Sequence, residues 1–195
     1  MSLVELELGD GVATVALAVP ERRNALSREL LVELRRALDE AERLGAAAIV
    51  LTGRGPVFSA GADLGELTGT VDDVAVDDAV QGACRALGEC PLPVLAAIEG
   101  GCVGAAVDLA LACDVRIVAR DAFFAVPAVA LGILYSPEAL ARMAGRAGHQ
   151  TLVRLLLLGE RIAGEQAVVT GLAARVAPSG GALEAALDAA RGAAA

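Results

Sequence analysis

The sequence predicts an α/β domain with a largely parallel sheet, and two features of the chain lead to that class. Short apolar runs alternate with segments of helical periodicity, which is the pattern of strands joined by helices. The chain has 195 residues, enough for one sizeable core in one domain. Apolar residues make up 56% of it and aromatic residues only 2%, so Ala, Val and Leu must fill that core.

The first part of the chain predicts a hairpin, a helix and a strand, in that order. Residues 4–8 and 12–19 read as the two strands of the hairpin, because a glycine-rich turn separates them. Ser27 suits the N-cap of a helix that runs to about residue 43, with leucines at helical spacing on one face. Residues 47–52 then form a short apolar strand.

The middle of the chain continues the alternation after one irregular stretch. Residues 65–75 are acidic, rich in Gly and Thr, and without a period, so they predict a mobile loop. The next predicted elements are a helix at 76–87, a strand at 94–98, a helix at 104–112, a strand at 115–119 and an extended segment from 123.

The C-terminal part, from Pro137 onward, reads mostly as helix interrupted by glycines. We divide the chain into a core of residues 1–178 and an Ala-rich C-terminal helix or tail of residues 179–195. The composition of that tail predicts that its helix frays into low complexity.

Charge and composition exclude several classes of function. The net charge of −9 and the isoelectric point of about 4.6 argue against nucleic-acid binding, which depends on Lys and Arg. Four cysteines without metal-ligand spacing and a single histidine predict free thiols and no metal site. No signal peptide and no membrane-spanning apolar run is apparent, so we expect a cytoplasmic protein.

Two stretches share one unusual pattern, in which a strand ends, small residues turn the chain and a helix begins. They are PVFSAGADLGEL at 56–67 and IEGGCVGAAVDLALACD at 98–114. At a helix start the first backbone N–H groups have no internal partner and carry the positive end of the dipole. Two such turns facing each other could aim two N–H groups at one oxygen, as in an oxyanion hole.

These stretches and three others carry a family resemblance. RNALS at 23–27, FSAGADL at 58–64, EGGCVGAAVDLALACDVRIVA at 99–119, AFFAVPAVALGI at 122–133 and LGERIAGEQAVVTGLAARV at 158–176 resemble the crotonase (enoyl-CoA hydratase/isomerase) superfamily. The resemblance implies an α/β, crotonase-like (ClpP/crotonase) fold of stacked ββα units, here with a shortened C-terminal helical region. It implies an acyl-CoA thioester substrate, with no cofactor beyond the coenzyme A that the substrate carries.

The resemblance also assigns binding residues. The two oxyanion N–H groups fall on Ala62 and Ala105. The expected contacts with coenzyme A fall on Arg22, Arg23, Ala60, Asp63 and Leu64. Two arginines in a loop can equally be a solvated surface, and Asp63 can simply favour a helix dipole. Both readings stay open at this stage.

The catalytic pattern of the family is incomplete. The first hydratase glutamate falls on Asp108, a candidate proton carrier that could instead be a structural acid. The second falls on Ala128, and the extra acid of dienoyl-CoA isomerases falls on Ser136. Tyr135 matches a tyrosine of methylmalonyl-CoA decarboxylases, although it could simply pack against the acyl chain. Glu138 reads as an acid that favours the helix dipole.

Three functions remain after these observations. The leading one is an enoyl-CoA hydratase/isomerase-type enzyme that stabilises a thioester enolate, with Asp108 and Tyr135 as catalytic residues. The second is a catalytically degenerate acyl-CoA-binding protein or subunit. The third, a serine peptidase using Ser59 and the lone His149, lacks a clear triad. We also expect a homotrimer or hexamer, in which neighbouring subunits cover exposed apolar surface.

Overall fold

A computed structural model describes residues 2–194, apart from the side chains of residues 72 and 194. The strands are β1 (Val4–Gly9), β2 (Val12–Leu17), β3 (Ala48–Gly53), β4 (Val94–Ile98), β5 (Gly101–Val103), β6 (Val115–Ala119), β7 (Phe123–Ala125), β8 (Ile162–Ala163) and β9 (Arg175–Ala177). The helices are α1 (Arg28–Arg43), α2 (Val74–Gly88), α3 (Ala105–Ala112), α4 (Ala128–Leu131), α5 (Pro137–Ala147), α6 (His149–Leu156), α7 (Gly164–Val169) and α8 (Ala182–Ala194). Short 3-10 turns cover Pro20–Arg22, Leu64–Glu66 and Val71–Asp73.

The main sheet has six strands in the order β1-β2-β3-β4-β6-β9. Only β1 is antiparallel to its neighbour, and the other pairs are parallel. Every residue of β4 is buried, as expected for a central parallel strand that is covered on both faces. The predicted α/β class with a largely parallel sheet is therefore confirmed.

A second sheet of three strands, β5-β7-β8, stands beside the first. The chain moves from the main sheet to this sheet and then into a helix twice, as β4-β5-α3 and as β6-β7-α4. The sequence does not reveal β5, β8 or β9, which have three, two and three residues. Such short strands are set by pairing with distant segments rather than by their own periodicity.

The N-terminal elements match the sequence expectations closely. Ser27 caps α1, because its Oγ accepts a hydrogen bond of 3.2 Å from the N–H of Leu30. Segment 65–75 contains the 3-10 turn Val71–Asp73 and overlaps the turn Leu64–Glu66, and α2 begins at Val74, slightly before the predicted start. The carboxylate of Asp73 ties this segment together by accepting from the N–H groups of Thr68 and Gly69 at 2.7 and 2.9 Å. The mobility of this segment stays a prediction.

The C-terminal helix α8 packs against the main sheet. Ala182, Ala186 and Ala190 are fully buried on the face of α8 that contacts β3, β4 and β6. The side chain of Glu99 anchors its start, since the carboxylate accepts from Gly180 N at 3.1 Å and Ala182 N at 2.7 Å. The helix is continuous from Ala182 to Ala194, and the fraying of its end stays a prediction. The division at residue 178 stays a prediction, and its end residues 1 and 195 lie outside the described residues.

None of the helices within residues 2–194 combines the length and the apolar character that a membrane span requires. All four cysteines are free thiols, as the sequence predicts.

Candidate active site

The turn at 58–63 is held in place by hydrogen bonds of buried polar side chains. Asn24 Nδ2 donates to three backbone carbonyls of the 54–58 segment at 2.8–3.2 Å. Ser59 Oγ donates to the carbonyl of Asn24 at 2.7 Å and accepts from the N–H of Gly61 at 3.1 Å. Asn24 has φ of +52°, a left-handed conformation that Asn adopts more readily than most residues. This local network explains the buried serine in the small-residue turn.

The second small-residue turn packs directly against the first. Ser59 N donates to Gly101 O at 3.2 Å, and Val103 N donates to Ser59 O at 3.0 Å. Gly61 has φ of +90°, and a Cβ at this position would lie 2.5 Å from Val103 O and 3.2 Å from Ala105 N. Only glycine allows the two turns to come this close. The predicted juxtaposition of the two turns is therefore present.

Two backbone N–H groups at this junction are available for an external acceptor. The neighbours of Ala62 are engaged, because Leu26 N donates to Gly61 O and Asp63 N donates to Leu26 O. Ala105 is the first residue of α3, so its N–H has no partner within the helix. Within residues 2–194, neither Ala62 N nor Ala105 N donates a hydrogen bond to a protein group.

Tyr135 reaches the same junction from the loop before α5. A Cβ placed on Gly104 would lie 3.9 Å from Tyr135 Oη and 3.9 Å from Gly61 Cα. Burial is the largest cause that raises the pKa of Tyr135 well above its usual value, and the negative charge of Asp108 is the second. The phenol is therefore a neutral hydroxyl at physiological pH, and it can donate a proton in a hydrogen bond.

Asp108 lies in the first turn of α3, and its side chain is fully buried. Both carboxylate oxygens are engaged by Arg142 of α5: Nε donates to Oδ1 and Nη2 donates to Oδ2, each at 2.8 Å. Gln81 of α2 joins the pair, because its Oε1 accepts from Arg142 Nη2 while its Nε2 lies 3.4 Å from Asp108 Oδ2. The candidate proton carrier is thus one member of a buried ion pair.

The residues predicted to contact coenzyme A lie together on neighbouring loops. Arg22 forms an ion pair with Asp63, and Ala60 N donates to Arg23 O at 2.9 Å. Arg23, Ala60 and Leu64 are exposed, and Arg23 makes no ion pair within the described part of the chain. Asp63 also accepts from the N–H of Gly65 at 3.0 Å, so its side chain is committed to the loop itself.

The positions at which the catalytic pattern departs from the family hold no free acid. Ala128 is buried at the start of α4, and Ser136 caps α5, its Oγ accepting from Ala139 N at 3.3 Å. Glu138 pairs with Arg85 at 3.1 Å and lies 3.7 Å from Arg142. The interpretation of Glu138 as an acid of the helix start fits this position, and its ion pairs add a structural role.

The structure argues against the serine peptidase alternative. Ser59 is fully buried, and its hydroxyl proton is committed to the carbonyl of Asn24. His149 is exposed at the start of α6. A serine in this state cannot attack a peptide bond without rearrangement of the turn that it holds.

Within residues 2–194, no group of three or more His, Cys, Asp or Glu side chains is placed to hold a metal ion.

Sequence reasoning missed Arg142, Gln81 and the structural role of Asn24. Arg142 and Gln81 come together only in the fold, because they lie 61 positions apart in the chain and on different helices. A weak signal existed for Gln81, a long polar side chain on the face of α2 that carries Val80 and Cys84. No comparable signal distinguishes Arg142 from the exposed arginines around it.

Comparisons with known proteins agree on one family. The family model described as enoyl-CoA hydratase/isomerase matches residues 7–194. A probable enoyl-CoA hydratase of Mycobacterium bovis is 38% identical over 176 residues, which cover 89% of this chain and 70% of that protein. The mitochondrial Δ(3,5)-Δ(2,4)-dienoyl-CoA isomerase of Homo sapiens is 34% identical over 182 residues, which cover 86% of this chain and 56% of that protein.

Solved structures give the same result for the fold. An enoyl-CoA hydratase/carnithine racemase of Magnetospirillum magneticum superposes with a TM-score of 0.92 at 29% identity, covering 100% of this chain and 75% of that one. DspI of Pseudomonas aeruginosa also gives 0.92, at 32% identity, covering 100% of this chain and 81% of that one. The predicted crotonase-like fold is confirmed, and the chain belongs to the enoyl-CoA hydratase/isomerase family of the crotonase superfamily.

Proposed function

We propose that the protein binds an acyl-CoA thioester and stabilises its enolate with the backbone N–H groups of Ala62 and Ala105. The observation that carries the proposal is the contact between the two turns, which leaves these two N–H groups without a protein partner. Donors that are fixed before the reaction stabilise charge that develops on an oxygen in the transition state. Gly61 lets the two turns meet, and Gly104 has no side chain that could block the approach of the thioester carbonyl to the backbone.

Two side chains complete the proposed site. Asp108 takes the α-proton of the acyl group, and the electron pair of that C–H bond moves onto the thioester oxygen between the N–H groups. Tyr135, with its neutral hydroxyl near Gly104, donates a hydrogen bond to the acyl portion. Return of the proton at another carbon would give isomerisation. Loss of carbon dioxide from a malonyl-type thioester would reach the same enolate.

A cytoplasmic location, which suits free thiols, is part of the proposal.

The expected result for the wild-type protein is exchange of the α-proton with solvent deuterium, together with slow or absent hydration of crotonyl-CoA. Hydration needs one group to activate water and another to protonate carbon, and Ala128 supplies neither. The pair of changes Asp108→Glu and Ala128→Glu should raise hydration about tenfold or more. Mass spectrometry and absorbance of the enoyl thioester measure the two reactions.

Ala130→Glu is the matched control, because Ala130 is exposed on the same short helix. Rapid hydration by the wild type would contradict the proposed division of roles.

A second function, binding of acyl-CoA without turnover, is favoured by one observation: both oxygens of Asp108 are already held by Arg142. Thioester binding without exchange, isomerisation or decarboxylation on any ester tested would select that function.

For the coenzyme A contacts, we expect the double change Arg22→Glu and Arg23→Glu to weaken binding about tenfold or more at low salt. Two positive charges become negative beside the phosphates, and the carboxylate introduced by Arg22→Glu would also repel Asp63, the present partner of Arg22. The difference should shrink as salt rises, because ions screen exposed charges. Calorimetric titration with coenzyme A at two salt concentrations measures both effects.

The control for this prediction changes the same amount of charge at Arg120 and Arg175, which are exposed elsewhere on the fold. It should leave the affinity within about twofold, since surface charges far from the ligand are screened. Equal affinity of the wild type and the Arg22/Arg23 variant would exclude this footprint.

The proposal includes assembly into a homotrimer or hexamer. Val129, Leu131 and Leu134 on α4 and the loop after it are 64%, 53% and 94% exposed. Further exposed apolar residues are Leu157, Leu158 and Val169. Large exposed apolar surface of this kind is commonly covered by neighbouring subunits. Light scattering at micromolar protein should give the mass of a trimer or a larger assembly, and a monomer there would contradict it.

A further inference from the structure

The contact between Asp108 and Arg142 raises a question for the proposed proton transfer. A carboxyl group in an apolar interior favours its neutral form, because burial penalises charge. A neutral carboxyl group cannot accept a proton from carbon. Asp108 is fully buried, so its use as a base requires something that keeps it ionised.

We infer that Arg142 is a positioning residue that keeps Asp108 ionised and fixes the direction of its carboxylate. The inference rests on the proposed function, in which Asp108 accepts the α-proton. The guanidinium meets the carboxylate through two parallel hydrogen bonds of 2.8 Å, a geometry that restricts rotation as well as stabilising charge. Within residues 2–194, Arg142 is the one cation in hydrogen-bonding contact with Asp108.

The surroundings of the pair support this role. The hydrogen bond with Asp108 is the largest cause that raises the pKa of Arg142 above its usual value, so the guanidinium stays charged beside this carboxyl group. Gln81 accepts from Arg142 Nη2 and so limits its movement. The groups that interact with Asp108 are Arg142 on α5, Gln81 and Cys84 on α2, and Tyr135 in the loop before α5. Two further acids lie one contact away, since Glu138 is 3.7 Å from Arg142 and Asp77 accepts from Gln81 Nε2.

The ion pair leaves capacity for the reaction. A carboxylate has about four lone-pair sites, and the fork of Arg142 uses one on each oxygen. The remaining sites face weaker donors, which are Gln81 Nε2 at 3.4 Å from Oδ2 and the Cys84 thiol. A remaining lone pair can take the α-proton while the C–H electron pair moves onto the thioester oxygen. Asp108 then becomes a neutral acid beside the guanidinium, and return of the proton to carbon restores the pair. The guanidinium therefore makes the base available and also favours return of the proton.

The test is the pH dependence of α-proton exchange in the wild type, Arg142→Gln and Arg142→Lys. Without the guanidinium, Asp108 should bind a proton at higher pH, since an unpaired buried charge is costly. We expect Arg142→Gln to lose about tenfold or more of the exchange rate at neutral pH and to regain it at higher pH, with the acid limb displaced by about one pH unit or more. Lysine supplies charge without the fork, so its profile should lie between the two.

A second measurement does not depend on turnover. The carboxyl carbon of Asp108, identified in a carbon NMR spectrum by its absence from Asp108→Asn, should titrate at higher pH in Arg142→Gln than in the wild type. Arg146→Gln, at an exposed position of the same helix, is the control and should change neither profile. If Arg142→Gln does not fold, Arg142→Met, which also removes the charge, takes its place in both measurements.

The outcomes separate the inference from the proposed function. A displaced acid limb together with a displaced NMR midpoint supports the inference. An unmoved NMR midpoint in a folded variant without a positive charge at position 142 overturns it, whatever the rate. A displaced midpoint in a protein that exchanges no α-proton on any thioester supports the effect of Arg142 on Asp108 and instead refutes the proposed reaction.

Discussion

Asp108→Asn is expected to reduce α-proton exchange by a factor of about 10² to 10⁴, the usual contribution of a positioned acid or base. The amide fills nearly the same volume and can still accept a hydrogen bond from Arg142, but it cannot take the proton. Affinity for coenzyme A should persist, because Asp108 is fully buried and lies apart from the loops that carry Arg22 and Arg23. Deuterium incorporation followed by mass spectrometry and calorimetric binding measure the two quantities.

Loss of one partner of a buried ion pair can also destabilise the fold, by about 3–5 kcal/mol in known cases. The double variant Asp108→Asn and Arg142→Gln removes both charges and controls for this effect, because no unpaired charge remains. It should regain stability in thermal unfolding without regaining exchange. An unchanged exchange rate in a folded Asp108→Asn protein would show that another acid carries the proton, with Glu138 the first to examine.

Gly61→Ala is expected to cost both activity and stability. The new Cβ would lie 2.5 Å from Val103 O, so the turn that carries Ala62 must move away from the turn that carries Ala105. Loss of one donor to a developing oxyanion typically costs about 10² to 10³ in rate. The left-handed φ of +90° adds backbone strain of about 1–3 kcal/mol for a non-glycine residue.

Gly69→Ala provides a matched control for this prediction. Gly69 also has a positive φ, of +74°, but a Cβ there meets nothing within 4 Å. Comparison of the two variants by thermal unfolding and deuterium exchange separates backbone strain from displacement of the turns. Full activity in Gly61→Ala, with stability equal to that of Gly69→Ala, would contradict the proposed role of the contact.

The parts of the fold that the sequence predicts are those with strong local signals. The leucines of α1 and the cap at Ser27 fix that helix, and the apolar run 94–98 fixes a central strand. Strands β5, β8 and β9 have no such signal, because their hydrogen bonds join residues far apart in the chain. Their existence depends on the tertiary structure rather than on local preference.

The same distinction applies to the candidate site. The two small-residue turns are visible in the sequence, because their glycines and the family motifs are local features. The partner of Asp108 is not visible, since Arg142 is 34 residues away and lies on another helix. The position of an acid in a motif suggests its role, but its protonation state depends on neighbours that only the fold brings close.

Glu99 links the first small-residue turn to α8, so the time at which α8 docks matters for the site. Its carboxylate accepts hydrogen bonds from Gly180 N and Ala182 N at the start of α8, which lie 81 and 83 positions further along the chain. Its backbone carbonyl accepts from Phe58 N at 2.8 Å, beside the first turn. During synthesis Gly180 and Ala182 leave the ribosome long after Glu99 does. Contacts between segments so distant in sequence form slowly. The strand end beside the first turn therefore gains this anchor late, after the turns themselves have been synthesised.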